Sequence, residues 1–167
     1  VALITEDRKI TGLNLSGTVN DNIAMVAIKK LLSNGLYNKN KAYKASQEYI
    51  EKLNIKTPSV NQIVGNLSGG NQQKIVIAKW LLNEPDIIIL DEPTRGIDVG
   101  AKRDIYLLLG KLVQQGKAII MISSEIPELM GICDRIAVMC EGNYSGEVQR
   151  EEFSQERIMT LASAITV

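Results

Sequence analysis

The sequence predicts an α/β fold, a mostly parallel sheet joined to a helical insert. Three observations predict it. After Leu67, short apolar runs alternate with segments of helical period. Ile87-Ile88-Ile89-Leu90 is a continuous apolar run, as expected of a strand covered on both faces. Between Asp21 and about Val64, apolar residues instead recur at helical spacing.

The elements follow in order. Val1 to Thr5 is a short apolar stretch that reads as the end of a buried strand, entered mid-strand and without a start methionine. Glu6-Asp7-Arg8-Lys9 is a charged turn, and Thr11 to Thr18 is loop-like. Asn20 or Asp21 is expected to cap a helix whose inner face is Ile23, Val26, Ala27 and Leu31, stopped by Ser33-Asn34-Gly35. A second helix is expected from about Lys39 to Leu53, with Ala42, Ala45, Tyr49 and Leu53 on one side, broken by Thr57-Pro58-Ser59. Ser68 is expected to cap a helix through about Leu82, with Ile75, Ala78 and Leu82 inward. Asp98 is expected to cap another, with Ile105, Leu108, Leu109 and Leu112 on its inner face and Gln115-Gly116 at its end. Ala118 to Ile122 and Arg135 to Met139 read as further strands, with a short helix from Glu125 to Met130 between them. Gly142-Asn143 suggests a turn into an antiparallel partner near Tyr144 to Val148. Ser154 is expected to cap a last helix through about Ala162.

Composition narrows the function classes. A chain of 167 residues with 45% hydrophobic residues can bury a core. Lys plus Arg and Asp plus Glu balance at 19 each, which gives no electrostatic case for nucleic acid or an anionic membrane as partner. No apolar run approaches the ~20 residues needed to span a bilayer. The chain has no histidine, so no imidazole serves as base, phosphate sensor or metal ligand. Cys133 and Cys140 are too far apart for a C-x-x-C clip and read as two small buried hydrophobes.

The chemistry is concentrated between Leu67 and Asp98. Leu67-Ser68-Gly69-Gly70-Asn71-Gln72-Gln73 opens a helix, whose N-terminus carries roughly half a positive charge and unpaired N–H donors suited to an anion. Glycines there remove Cβ atoms that would block close approach. A serine cap on an ordinary loop would look the same locally. The run Ile87 to Leu90 ends in Asp91-Glu92-Pro93-Thr94, two carboxylates able to hold Mg²⁺ and orient a water. Arg95-Gly96-Ile97-Asp98 follows.

Together these motifs resemble the ATP-binding-cassette ATPases, in particular the second cassette of simple-sugar importers of the ribose, galactose and xylose type. The resemblance implies a partial RecA-like P-loop NTPase sheet with a helical subdomain. It divides the chain into a Q-loop region at 1–19, the helical subdomain at 20–66, the signature, Walker B, D-loop and switch part of the ATPase core at 67–150, and a C-terminal helix at 151–167. Ser68, Gly69, Gly70 and Asn71 match the signature L-S-G-G-Q, with Asn71 in place of Gln. That motif completes an ATP site on the opposite cassette. Asp91 then holds Mg²⁺, Glu92 polarises the attacking water, and Asp98 is the D-loop aspartate. Glu6, in Glu6-Asp7-Arg8-Lys9 followed by Gly12-Leu13, stands where most members have a Mg²⁺-coordinating Gln. Ser124, in Ser123-Ser124-Glu125, stands at the switch-histidine position and supplies no cationic contact.

The loop G-x-x-x-x-G-K-S/T that grips phosphates is not in this sequence. The resemblance therefore implies the C-terminal part of a second cassette, an ATPase within the full protein, which by itself is inactive and binds ATP weakly or not at all. Its implied cofactors are ATP and Mg²⁺. Its implied partners are the first cassette of the same polypeptide or a second subunit, a transmembrane permease and, indirectly, a sugar-binding protein, but no nucleic acid. Its implied place is the cytoplasmic face of the membrane, peripherally bound. The alternatives are a non-catalytic interaction module and a soluble cassette protein outside transport.

Overall fold

The structure is a computed structural model that describes residues 1–163, so the end of the 151–167 block, from residue 164, lies outside the described residues. The chain divides into two compact units, Val1–Ile122 and a second beginning at Ser123.

In the first unit, β1 (Ala2–Ile4) leads into a single π-helical turn over Arg8–Gly12, capped by the Asp7 carboxylate, which accepts from Lys9 N and Ile10 N. α1 (Val19–Ala24) follows, and Thr18 caps it. The Thr18 hydroxyl oxygen accepts from Asp21 N at 3.0 Å, while Asp21 Oδ2 accepts from Thr18 N at 3.1 Å. Asp21 is therefore the third helical residue of a reciprocal capping box, not the cap, and Asn20 lies within the helix. α1 ends at Ala24, short of the expected Leu31. A 3₁₀ turn over Ile28–Leu31 carries the chain onward, with Ile23, Ala27 and Leu31 still buried.

Ser33-Asn34-Gly35 is the core of a hairpin, not a simple stop. β2 (Leu32–Ser33) pairs antiparallel with β3 (Leu36–Tyr37). Asn34 and Gly35 have φ of 51° and 79°, the paired left-handed residues a two-residue hairpin loop demands. α2 (Lys39–Lys52) begins at an Asn38 cap and buries Ala42, Ser46 and Tyr49. Its Tyr49 hydroxyl donates to the Leu81 carbonyl at 2.8 Å.

α3 (Gly69–Leu81) is the helix the first unit is built around. Ile75, Val76, Ile77 and Ala78 are all buried, and it packs against β1, α1 and α2. β4 (Ile87–Asp91) then enters the sheet, α4 (Val99–Gln114) crosses over, and β5 (Ala118–Ile122) returns. α4 ends in a Schellman arrangement: Lys117 N donates to the Leu112 carbonyl and Gly116 N to the Val113 carbonyl, with Gly116 at φ 82°.

The sheet is parallel in the order β1-β4-β5, with Leu3, Ile89 and Ile120 in one cross-strand row. One face is sealed: Ala2, Ile4, Ile88 and Leu90 are at most 1% exposed. The opposite face is open, with Leu3 49%, Ile87 38%, Ile120 52% and Ile122 50% exposed. The expectation that β4 is covered on both faces is thus corrected, because side chains alternate along the strand and only one set meets a packed layer.

The second unit has its own core. α5 (Ile126–Ile132) precedes β6 (Arg135–Cys140), which pairs antiparallel with β7 (Asn143–Gln149) across Glu141-Gly142. α6 (Gln155–Ala162) follows, capped by Ser154, whose hydroxyl accepts from Arg157 N. Ile136, Val138, Val148 and Ile158 form the core, with Phe153 and Cys133 packed on it. Among the described residues β6 pairs with β7 alone and does not extend the parallel sheet. Both cysteines are free and half-buried, not fully buried, and burial pushes the Cys133 thiol above its usual range.

Two polar ties from α3 fix its depth. Lys79 Nζ donates to the Gly12 carbonyl at 2.7 Å, and burial lowers the affinity of that amine for its proton. Lys74 Nζ, 6% exposed, meets Asp104 at 2.8 Å and the Asn54 carbonyl at 3.1 Å. The hydrogen bond and then the charge of Lys74 hold the Asp104 carboxyl below the usual carboxylate range. A depressed acid stabilises the fold above its unfolded pKa and loses that contribution as pH falls through its folded pKa. Asp104→Asn is therefore expected to lower stability by about 1 kcal/mol at neutral pH, a figure reduced for the half-exposed carboxylate. Urea unfolding should show the difference from the unsubstituted chain shrinking below the carboxylate range.

The two cap positions make a second test. Ser68 precedes α3, yet its side chain makes no capping bond. Thr18→Ala is expected to cost about 1 kcal/mol in chemical unfolding and Ser68→Ala less than about half of that.

Candidate nucleotide-binding residues

The acids come first. Asp91 closes β4 beside Ile122, and both Asp91 and Glu92 are half-buried. Glu92 leaves the strand at φ 46°, a left-handed conformation that a residue with a Cβ adopts at a cost. Its N–H donates to the Ile122 carbonyl at 2.9 Å, and its carbonyl accepts from Arg95 N at 3.1 Å, so the sheet end and a tight turn fix it from both sides. Thr94 within that turn is 1% exposed.

Asp98 ends the same loop as the cap of α4, accepting from Ala101 N at 2.9 Å. Glu6 lies on the loop after β1 and ion-pairs with the Arg95 guanidinium. Glu6, Asp7, Arg8, Lys9 and Arg95 line one open basin.

The start of α3 is built differently from the expectation. The Ser68 hydroxyl accepts from Asn71 Nδ2 at 2.9 Å instead of capping the helix. Asn71 Oδ1 is in turn taken by Lys56 N at 2.8 Å, which fixes which way the amide points. The first-turn N–H groups of α3 are therefore left without a side-chain cap among the described residues.

The glycines serve packing. A Cβ on Gly70 would stand 2.4 Å from Ala101 Cβ, and one on Gly69 would stand 2.8 Å from Arg8 Nη2. Their missing side chains admit α4 and an arginine, where the sequence suggests an approaching anion.

The structure thus brings Gly69 beside Gly96 and Ile97 of the loop that follows Asp91 and Glu92, and Gly70 beside Ala101 of α4, with Glu6 tied to the same loop through Arg95. The approach is close: a Cβ placed on Gly69 would stand 3.3 Å from the Gly96 carbonyl oxygen. Ser124 belongs to the second unit, two residues past β5 and exposed. Next to it, the Ser123 hydroxyl donates to the buried Glu128 carboxylate at 3.0 Å and accepts from Glu125 N at 3.0 Å.

Sequence reasoning missed Arg8, which bonds to backbone 87 and 88 residues away. It also missed Lys79. Neither residue carries a local signal, since each partner is a main-chain carbonyl. Among the described residues, no group of three or more His, Cys, Asp or Glu side chains converges to cage a metal ion, and no helix is long and apolar enough to cross a membrane.

The sequence is similar to those of known ATP-binding import proteins. The chain is 55% identical to the ribose import ATP-binding protein RbsA of Clostridium tetani, over 99% of this chain and 33% of that protein. It is 50% identical to the L-arabinose transport ATP-binding protein AraG of Geobacillus stearothermophilus, over 100% of this chain and 33% of that protein. It spans about a third of the length of these curated relatives. Among solved structures, a dimeric post-hydrolysis state of the ATP-binding cassette MJ0796 bound to ADP and Pi superposes with a TM-score of 0.74 at 25% identity, covering 91% of this chain and 63% of that one. A family model described as ABC transporter matches residues 3–95, more than half of the sequence, and the chain belongs to that family.

Proposed function

We propose that this chain is part of an ATP-binding and ATP-hydrolysing subunit that powers sugar import. The observation that carries the reading is the seating of the uncapped start of α3 against the loop that bears both acids. The high identity to ribose and arabinose import proteins supports the substrate class.

In this reading the first-turn amides of α3, with Ser68, Gly69, Gly70 and Asn71, face the terminal phosphate of ATP bound by a partner cassette. That partner is the first cassette of the same polypeptide or a second subunit. Asp98 contacts it across the junction while still capping α4. Asp91 is a hard oxygen donor at the end of β4. This suits Mg²⁺, which keeps several waters and takes the rest of its shell from phosphate. When bound, Mg²⁺ neutralises charge on the phosphates. Glu92, fixed by the sheet end, accepts a proton from the attacking water or orients it. Glu6, which ion-pairs with Arg95, would be a further oxygen ligand for Mg²⁺. Ser124 offers a hydroxyl to phosphate where the family has an imidazole.

The two ATP sites of the assembled pair are therefore unequal. The site served by Asp91, Glu92 and Glu6 is the slower or regulatory one. Closure and reopening of the pair drive a membrane permease, supplied by a sugar-binding protein, from the cytoplasmic face. A non-catalytic interaction module is the second reading, favoured by the engagement of Glu6 with Arg95 and by the serine at position 124.

Kinetics of the full subunit separate the two readings. Glu92→Gln is expected to lower turnover at its own site by about 10²-fold, with a smaller effect on total hydrolysis than the matching change in the first cassette. Unchanged hydrolysis would favour the interaction module, and equal losses from the two changes would end the asymmetry. Titration of Mg-ATP into this chain alone is expected to give binding weaker than micromolar, because no phosphate-gripping loop or its lysine lies within it.

A further inference from the structure

Arg8 joins three segments that are remote in sequence. It lies in the π-helical turn after β1, half-buried. Its Nη1 donates to the Arg95 carbonyl at 2.8 Å and its Nη2 to the Gly96 carbonyl at 3.1 Å. The same Nη2 fills the space where a Cβ of residue 69 would stand, 2.8 Å away. The guanidinium is thus wedged between the turn after the acids and the first residue of α3. Gly96 has φ 68°, so the carbonyl it presents belongs to a left-handed turn that other residues adopt with strain.

Two further facts bear on its role. Arg8 Nε is shut off from solvent and has no partner among the described residues. An orphaned buried donor opposes folding, so local stability alone is a poor account of an arginine there. The neighbouring Glu6 also grips the Arg95 side chain, so the loop after β1 holds residue 95 by both its backbone and its guanidinium.

We propose that Arg8 is a positioning residue that locks the Arg95-Gly96 turn to the start of α3, so that Asp98 and the Ser68 to Gly70 amides are presented to ATP as one rigid surface. The loop after β1 thereby sets the geometry of both. Lysine cannot do the same, because two successive carbonyls need a planar fork and not a point charge. The proposal rests on the ATP-hydrolysing function proposed above.

The test uses the full subunit with Arg8→Lys, Arg8→Ala, Gly69→Ala and the Arg8→Ala/Gly69→Ala pair. Arg8→Lys and Arg8→Ala should each lower kcat about tenfold or more while KM for ATP stays within about twofold, the signature of lost positioning. Amide hydrogen exchange over residues 95–98 should speed up about tenfold, with residues 88–90 of β4 unchanged as the control for an intact sheet. Gly69→Ala should also lower kcat, because its Cβ displaces the guanidinium, and the double variant should fall no further than Gly69→Ala alone. Unchanged exchange at 95–98, an unchanged kcat, or full recovery by lysine would overturn the proposal. Exchange needs no nucleotide. An unsubstituted subunit that fails to hydrolyse ATP, yet shows the exchange change on substitution, would indict the functional reading, whereas a hydrolysing subunit without it would indict the Arg8 lock.

Discussion

The first unit depends on the burial of α3. A helix with water on one side can leave its lysines there. α3 has none to spare: Ile75, Val76, Ile77 and Ala78 are buried in succession, and Lys74 and Lys79 are buried with them. Burying each isoleucine contributes about 1.5–3 kcal/mol, which fixes the helix among β1, α1 and α2. The two ammonium groups must then find oxygen inside the protein. Lys79 takes the Gly12 carbonyl and so draws the loop after β1 onto the helix. Lys74 takes Asp104 and so draws α4 alongside. The loop after β1, the glycine-led helix and the acid-bearing loop are brought together as a result of seating one helix.

That constraint explains why some elements are legible in the sequence and others are not. Apolar runs locate β4 and β5, helical spacing with an Asp98 cap locates α4, and the Ser154 cap locates α6. Asp98 and Ser154 cap as their local chemistry predicts. Thr18 is easily passed over because Asn20 and Asp21, both good caps, stand beside it, and only the partner at the third position separates them. The Asn34-Gly35 hairpin is hidden by strands of two residues each, too short for an alternating pattern. The antiparallel pairing of β6 with β7, by contrast, is legible from the glycine turn at residue 142 that joins them.

The acid and glycine motifs are legible as a pattern but not in all their causes. Asp91 and Glu92 sit at the strand end that the apolar run implies. Gly69 and Gly70 read as an opening for an anion. In the folded chain their bareness lets Arg8 and Ala101 approach, and the first-turn amides carry no side-chain cap because Ser68 bonds to Asn71 instead. Packing thus demands bare positions at the two residues where the sequence suggests an approaching anion. Arg8 itself reads as one of four adjacent charges, since its partners are carbonyls that any sequence would supply.

The open side of the sheet has a practical consequence. Leu3, Ile87, Ile120 and Ile122 present a contiguous oily strip to water, on strands whose outer edges carry hydrogen-bonding groups. A chain with such a strip gains free energy from company. Its melting behaviour is therefore a property of the solution as much as of the molecule, and its midpoint should drift with concentration and with mild detergent.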